Sequence, residues 1–320
     1  MIKSKPLTRP AHLKKGDTVA ITAPSSPVPS DVLKTSIASI KFLGLNPVVM
    51  PCCNMSHGYL SGKDDQRSKD LNNAFSNPDI KGIFCLRGGF GATRLLPLLD
   101  YDTIKRNPKV FVGYSDITAL HLAINKHCGF VTFHGPMPNT GYMRLDPYSL
   151  TSLTDNIFAE NPISPIVNPP NEPMEIIYPG SAQGILTGGN LSLLLGTLGS
   201  PYEVDTRGKI LFMEDVGERP YRLDKAFTAL ALAGKFRDCA GVILGAFTEC
   251  EEPPAHTVAK NTVIAEGSLT FHDIIDEIIR PFKKPTLNNF RSGHIYPQST
   301  LPMGSMVSFS TDVLKLNIET

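Results

Sequence analysis

The stretch Val110-Phe-Val-Gly-Tyr-Ser-Asp-Ile-Thr-Ala-Leu120 runs from an apolar strand through a short turn into a helix. The same order occurs upstream, where the apolar run Lys81-Gly-Ile-Phe-Cys-Leu86 precedes a glycine-rich turn and a helix predicted over 92–99. Alternating strands and helices indicate an α/β protein with a Rossmann-like, doubly wound, mostly parallel sheet. Further strands are predicted at 18–23, 46–51 and 131–134, and further helices at 31–43, 64–74 and 117–126.

The chain has 320 residues, more than a single hydrophobic core usually serves, so two domains are expected. We predict an N-terminal Rossmann-like domain over 1–160, a Pro-rich linker over 161–183 and a smaller α+β or barrel-like domain over 184–320. The linker prediction rests on clustered Pro and Gly, which interrupt regular structure. In the C-terminal part, strands are predicted at 184–188, 209–213, 241–247, 306–309 and 314–318, and helices at 191–198 and 223–233.

Composition restricts the function classes. Hydrophobic residues make up 41% of the chain and charged residues 19%, with a net charge of +1, so no basic surface for nucleic acid is expected. No apolar run reaches the roughly 18–20 residues that span a bilayer, and the apolar stretch at 18–24 is interpreted as a strand rather than an export signal. A cytoplasmic protein without membrane contact is therefore expected.

The cysteines and histidines do not predict a metal site. The six cysteines include no C-x-x-C pair, and the eight histidines form neither H-x-x-x-H nor H-E-x-x-H. Free thiols in a reducing compartment, with no metal or cofactor, are expected. Cys85 lies inside an apolar strand rather than at its turn, so we interpret it as a buried structural thiol.

Ser115 is the first candidate for chemistry. Gly113-Tyr-Ser-Asp stands between strand and helix, the layout of a nucleophile elbow that lifts a hydroxyl above the sheet. The helix N-terminus behind it offers N–H groups to a developing oxyanion. Ile117 replaces the second glycine of the usual G-x-S-x-G pattern. The alternative is a helix cap, in which Ser115 or Asp116 accepts hydrogen bonds from the first turn.

The glycine-rich run Arg87-Gly-Gly-Phe-Gly91 follows a strand and opens a helix. It matches neither the dinucleotide fingerprint nor the P-loop. Its backbone N–H groups would lie at the carboxyl edge of the sheet, where open α/β folds bind ligands. It is either a contributor to an oxyanion hole or simply a tight turn.

Three further residues are candidates for a supporting acid and base. Glu214 follows the strand predicted at 209–213 and could orient a histidine, or it could cap a loop. His294 lies in a Gly-containing loop, where a histidine is accessible. His134, at a strand end in Phe133-His-Gly-Pro, is its rival and is equally explained as a structural residue.

Taken together, the motifs resemble the LD-carboxypeptidases, also called muramoyltetrapeptide carboxypeptidases, over nearly the whole chain. Their order and spacing are more specific than any one of them. The motifs are Val19-Ala-Ile-Thr-Ala-Pro-Ser-Ser, Asp70-Leu-Asn-Asn-Ala-Phe, Leu86-Arg-Gly-Gly-Phe-Gly, Gly113-Tyr-Ser-Asp-Ile-Thr, His134-Gly-Pro, Leu186-Thr-Gly-Gly-Asn-Leu, Phe212-Met-Glu-Asp-Val-Gly-Glu and Ser292-Gly-His.

The resemblance implies a catalytic triad of serine, histidine and glutamate. The serine corresponds to Ser115 and the histidine to His294. The glutamate corresponds to Glu214, although Glu218 stands close by in the same motif. The resemblance also implies a small-peptide substrate, no cofactor and a homodimer.

The remaining implied roles concern binding. The oxyanion donors correspond to the backbone N–H of Asp116 and of a glycine, for which Gly89 is preferred to Gly88. Arg87 and Arg222 are candidates for holding the terminal carboxylate of the substrate, and either could instead form a structural ion pair.

The implied reaction is serine carboxypeptidase cleavage of the L,D-peptide bond to the terminal D-Ala of murein tetrapeptide, through an acyl-enzyme. The first alternative is a peptidase of the microcin C7 self-immunity type, which cleaves aminoacyl or peptidyl nucleotide conjugates. Those enzymes typically stack a Trp on the nucleobase, and this chain has no Trp. The second alternative, from another class, is a non-catalytic small-ligand-binding protein on a Rossmann-like scaffold.

Overall fold

The computed structural model describes residues 6–160, 165–251 and 268–319, which form one six-stranded and one seven-stranded sheet. The strands are β1 Thr18–Thr22, β2 Asn46–Val49, β3 Ile80–Cys85, β4 Val110–Gly113, β5 Thr132–His134, β6 Glu175–Tyr178, β7 Ser181–Asn190, β8 Ile210–Val216, β9 Gly241–Thr248, β10 Thr286–Asn288, β11 Leu301–Met303, β12 Met306–Ser310 and β13 Lys315–Ile318. The helices are α1 Ser30–Phe42, α2 Asp64–Ser76, α3 Tyr101–Arg106, α4 Thr118–Cys128, α5 Pro147–Phe158, α6 Leu191–Gly196, α7 Pro220–Leu232, α8 Lys235–Asp238 and α9 Phe271–Ile278.

The first sheet has the strand order β11-β5-β4-β3-β1-β2. Strands β1 to β5 are parallel, and only β11 runs antiparallel, against β5. Helices α1 and α5 pack on one face of the sheet and α2, α3 and α4 on the other. Because both faces are covered, every residue of β4 is buried, as its continuous apolar sequence predicts. The prediction of a doubly wound, mostly parallel sheet is confirmed.

The second sheet is mixed and has the order β13-β12-β7-β8-β9-β10-β6. Its four central strands, β7 to β10, are parallel, whereas β12, β13 and β6 join antiparallel at the edges. Helices α6, α7 and α9 cover one face. The core on the other face includes Leu301 and Met303 of β11, which belongs to the first sheet. The two sheets are therefore joined through a shared apolar core.

Two details differ from the predicted division of the chain. The segment predicted as linker contains β6, which pairs with β10 at the edge of the second sheet. The segment predicted as the second domain returns β11 to the first sheet, where it hydrogen-bonds to the otherwise open edge of β5. In addition, the helix predicted over 92–99 is a 3-10 helix, Ala92–Leu98, which contains Pro97. Proline removes a backbone donor and so disfavours a regular α-helix there.

All six cysteines are buried free thiols, and Cys85 is fully buried inside β3, as predicted. The structure pairs none of them in a disulfide. Among residues 6–160, 165–251 and 268–319, no helix has the length and apolar character needed to cross a bilayer.

Two glycines provide a matched test of this packing. Gly188 in β7 has φ +116°, and a side chain there would overlap the carbonyl oxygen of Phe212 on the neighbouring strand. Gly196, at the end of α6, has nothing within 4 Å of the position a Cβ would take. We expect Gly188→Ala to destabilise the fold by about 3 kcal/mol or more, because strain and steric overlap add. Gly196→Ala should be neutral or stabilise it by up to about 1 kcal/mol.

Urea unfolding of the two variants beside the wild type measures the difference. Equal stabilities for Gly188→Ala and Gly196→Ala would contradict the close approach of β7 to β8.

Candidate active site

Ser115 lies directly after β4, at the carboxyl edge of the first sheet, with φ +64°. A left-handed conformation is uncommon for a residue other than glycine and is typical of a strained functional turn. A side chain at Gly113 would come within 2.8 Å of Ile117, which explains the glycine two residues before the serine. The turn therefore has the elbow geometry that the sequence predicts.

The helix-cap interpretation of Ser115 and Asp116 is wrong. Neither the 3-10 turn Ser115–Ile117 nor helix α4 behind it has a side-chain cap. The Asp116 carboxylate instead accepts hydrogen bonds from Ser25 and Ala92, which lie on two other loops. The Ser115 hydroxyl is thus not engaged in capping its own helix.

The glycine-rich loop lies against the serine. A methyl group on Gly88 would come within 3.0 Å of Ser115 Oγ and 3.5 Å of the Asp116 nitrogen. Gly89 has φ +119°, and a side chain there would overlap Ser26. Both glycines are thus required where two loops and the elbow meet. The choice between their N–H groups as oxyanion donors stays a prediction.

His294 and Glu214 form a direct hydrogen bond of 2.7 Å between Nδ1 and Oε2. Glu214 lies in β8 and is fully buried, whereas His294 comes from the loop between β10 and β11. A side chain on Gly293 would come within 2.7 Å of Glu214 Oε2, so glycine is needed for this approach. The backbone of the loop is held by Thr248, whose hydroxyl donates to the His294 carbonyl at 2.8 Å.

Burial and the contact between His294 and Glu214 shift the pKa of each group in opposite directions. Burial lowers the pKa of His294, but the hydrogen bond and negative charge of Glu214 raise that pKa above its ordinary value. Burial raises the pKa of Glu214, and the contact with His294 opposes this. In the neutral ring, an Nδ1–H that donates to the carboxylate leaves the other nitrogen of His294, Nε2, as an acceptor.

Tyr114 connects the elbow to the histidine loop. Its ring centroid lies 4.9 Å from that of His294, and it immediately precedes Ser115. Burial raises the pKa of Tyr114, and the positive charge of Arg87 acts against this. The elbow thus contacts the glycine-rich loop through Gly88 and the His294 loop through Tyr114, and His294 in turn contacts Glu214.

Two sequence candidates lie in a separate arrangement. Glu218 forms an ion pair of 3.4 Å with Arg222 at the start of α7, and the Arg222 side chain is 59% exposed. Glu218 thus does not replace Glu214 as the partner of His294.

Arg87 is half-buried and reaches the Pro27 carbonyl at 3.5 Å.

His134 is fully buried and packs against the rings of Tyr114 and Phe212. Burial lowers its pKa well below the ordinary value. It pairs with Leu301 where β11 joins the first sheet. These surroundings are those of a core residue and favour the structural interpretation of His134.

The sequence did not reveal the role of Asn190. Its backbone N–H donates to Thr118 Oγ1 at 3.0 Å, and its side chain donates to Asp215 at 3.0 Å. Its side-chain oxygen also caps α6 by accepting from the Leu193 N–H. It therefore links the helix behind Ser115 to the strand of Glu214. An Asn directly before an apolar helical run is the signal that could have predicted the cap.

In the part of the chain that the structure describes, no group of three or more His, Cys, Asp or Glu is arranged to hold a metal ion. The candidate groups are the imidazole and carboxylate that pair with each other and the hydroxyl of the adjacent elbow. That set is suited to nucleophilic acyl transfer.

Family comparisons agree with this geometry. Residues 19–135 match the LD-carboxypeptidase N-terminal domain, and residues 183–309 match the LD-carboxypeptidase C-terminal domain. The chain belongs to the LD-carboxypeptidase family. Its family membership makes it a carboxypeptidase, as the sequence motifs imply.

Individual relatives span almost the whole chain. A probable murein peptide carboxypeptidase of Bacillus subtilis is 38% identical over 304 residues, covering 95% of this chain and 92% of the relative. The murein tetrapeptide carboxypeptidase of Pseudomonas aeruginosa is 31% identical over 296 residues, covering 89% and 91%. A structure of MccF in complex with glutamyl sulfamoyl guanosine superposes with a TM-score of 0.85 at 25% identity, covering 99% of both chains. MccF is described as the microcin C7 self-immunity protein of Escherichia coli.

The hydrogen bond between Glu214 and His294 predicts a measurable shift. Glu214→Gln removes the negative charge but not the burial, so the pKa of His294 should fall. Glu218→Gln is the matched control, because Glu218 pairs with Arg222, and it should leave the pKa of His294 unchanged. NMR titration of the imidazole Cε1–H signals measures both. An unchanged His294 pKa in Glu214→Gln would show that the carboxylate does not act on the ring.

Proposed function

We propose that this carboxypeptidase hydrolyses the L,D-peptide bond to the terminal D-Ala of murein tetrapeptide, with Ser115, His294 and Glu214 as a catalytic triad. The observation that carries the proposal is the 2.7 Å contact of His294 with the buried Glu214, beside a strained serine turn. The substrate follows from the family and from the names of its murein-specific relatives.

In the proposed acylation step, each member of the triad has a distinct role. His294 Nε2 removes the Ser115 proton as Oγ attacks the carbonyl carbon of the L-residue. Glu214 holds the imidazole in the required tautomer and stabilises its charged form. The oxyanion accepts hydrogen bonds from the backbone N–H of Asp116 and Gly89, each lowering the barrier by about 3–4 kcal/mol.

Collapse of the tetrahedral intermediate breaks the bond to D-Ala, and His294 gives its proton to the departing amine. Water then enters, and His294 takes one of its protons as the water oxygen attacks the acyl carbon. When this second tetrahedral intermediate collapses, the bond to Ser115 Oγ breaks and His294 returns the proton to that oxygen. The released peptide ends in the L-centre carboxylate. No cofactor takes part in this scheme.

The terminal carboxylate of the substrate needs a cation or N–H groups. Of the two arginine candidates, Arg87 is supported by its place directly before Gly88, next to Ser115. Arg222 is engaged with Glu218, so we regard it as the weaker candidate. The family resemblance also supports a cytoplasmic homodimer as part of this proposal.

A second candidate function is cleavage of aminoacyl or peptidyl nucleotide conjugates. It is favoured by the superposition on MccF, whose structure contains glutamyl sulfamoyl guanosine. The absence of Trp from this chain speaks against it, because an aromatic ring of that kind would stack on the base. A non-catalytic ligand-binding role is disfavoured by the His294–Glu214 pair, which such a protein would not need.

The triad predicts a specific pattern of kinetic losses. Ser115→Ala, His294→Ala and Glu214→Gln should each lower kcat for D-Ala release by about 10³-fold or more, with circular dichroism unchanged. Glu218→Gln should retain kcat within about twofold, because an exposed ion pair contributes little. A fluorophosphonate probe should label the wild type but not Ser115→Ala. Labelling of Ser115→Ala, or a benign Glu214→Gln beside a damaging Glu218→Gln, would refute the assignment.

Substrate choice is tested separately. We expect a higher kcat/KM for L-Ala-D-Glu-meso-diaminopimelate-D-Ala than for an aminoacyl sulfamoyl adenosine, with D-Ala release and adenosine-product release as the two readouts. The matched peptide ending in L-Ala should not be cleaved. A preference for the nucleotide conjugate would instead establish the second candidate.

A further inference from the structure

The carboxylate of Asp116 is buried beside Ser115 and has partners on two separate loops. Its Oδ2 accepts a hydrogen bond of 2.6 Å from Ser25 Oγ and one of 2.9 Å from the Ala92 N–H. Ser25 follows β1 and Ala92 follows β3, the two strands next in order after β4. One oxygen atom therefore ties three neighbouring loops together at the carboxyl edge of the first sheet.

These loops enclose the glycine-rich segment. Ser26 donates its backbone N–H to the Gly88 carbonyl at 3.4 Å, and its hydroxyl accepts from the Phe90 N–H at 3.2 Å. Asp116 thus holds the loop through Ser25 on one side and through Ala92 on the other. The N–H groups of Gly88 and Gly89 lie between these two attachments.

A second buried charge holds the same loops. Arg67 is fully buried and donates to the carbonyl of Pro24 and, at 3.1 Å, to that of Gly91. A side chain on Gly91 would meet the Arg67 guanidinium at 2.8 Å. Burial raises the pKa of Asp116, while its two donors and the charge of Arg67 oppose this. Buried partners on two loops therefore hold the Asp116 carboxylate, and Arg67 holds the same two loops.

We propose that the side chain of Asp116 is a positioning residue that fixes the glycine-rich loop against the Ser115 elbow and so orients the oxyanion donors. This role rests on the proposed function and is separate from that of the Asp116 backbone N–H. Oxyanion donors stabilise the transition state only if they are oriented before charge develops. Loss of the anchor should therefore lower kcat and leave KM nearly unchanged.

The experiment compares two substitutions of Asp116 with a matched control. Asp116→Ala should lower kcat for D-Ala release by about 100-fold, comparable to losing one oxyanion donor. Asp116→Asn keeps a carbonyl oxygen that can accept both hydrogen bonds, so its loss should stay within about tenfold. Asp70→Ala is the control, since Asp70 is also buried and accepts a backbone N–H, that of Cys52 at 2.8 Å. It should retain kcat within about twofold even if it unfolds at lower urea.

Ser25→Ala removes only the hydroxyl donor and should also lower kcat, by less than Asp116→Ala. If Asp116→Ala does not fold, Ser25→Ala decides the question, and wild-type kcat in Ser25→Ala then overturns the inference. It is likewise overturned if Asp116→Ala raises KM at constant kcat, or if Asp70→Ala loses kcat to the same extent.

The two proposals fail in different ways. Full activity in Ser115→Ala would refute the proposed function, and this inference with it. An inactive Ser115→Ala beside a fully active Asp116→Ala would remove only this inference.

Discussion

A buried carboxylate must be paired, and the pairing of Glu214 with His294 is the constraint that organises this molecule. Glu214 is fully buried within β8, where an unpaired charge would be too costly to retain. Its partner comes from a loop 80 residues later in the chain. That loop can approach closely only because Gly293 has no side chain, and it continues into β11, which pairs with the first sheet. The same loop therefore carries both the hydrogen bond to Glu214 and the strand that joins the two sheets.

Around this pair the site is built by close backbone approach rather than by long side chains. Gly88 lies against Ser115, and Gly189 lies against Thr118 in the helix behind the elbow. Polar groups bind the loops at these contacts, through Asp116 on one side and Asn190 on the other. Such an arrangement orients hydrogen-bond donors and acceptors in advance. A developing oxyanion is stabilised only by donors that are already oriented. The left-handed Ser115 is consistent with local strain maintained by these surroundings.

Sequence patterns predicted the parallel strands β1 to β5 of the first sheet. The inner ones appear as continuous apolar runs because both of their faces are covered. The patterns missed α5 and α9, although both have a signal at the N-terminus. Asp146 before Pro147 caps α5, and Thr270 with Asp273 forms a capping box on α9. The three-residue strands β10 and β11 have no comparable signal. They are strands only because a neighbouring edge is available for pairing.

The sequence by itself determined the fold class, the elbow around Ser115 and the family motifs that contain Glu214 and His294, because each depends on local patterns of residues. It left open whether Ser115 was a helix cap and whether Glu214 or Glu218 faced the histidine. The tertiary structure decided both points, since it leaves the turn uncapped and puts Glu218 against Arg222. It alone revealed the contacts of Asp116 with Ser25 and Ala92. Hydrogen bonds between residues so distant in sequence have no local pattern, because they exist only after the strands are in register.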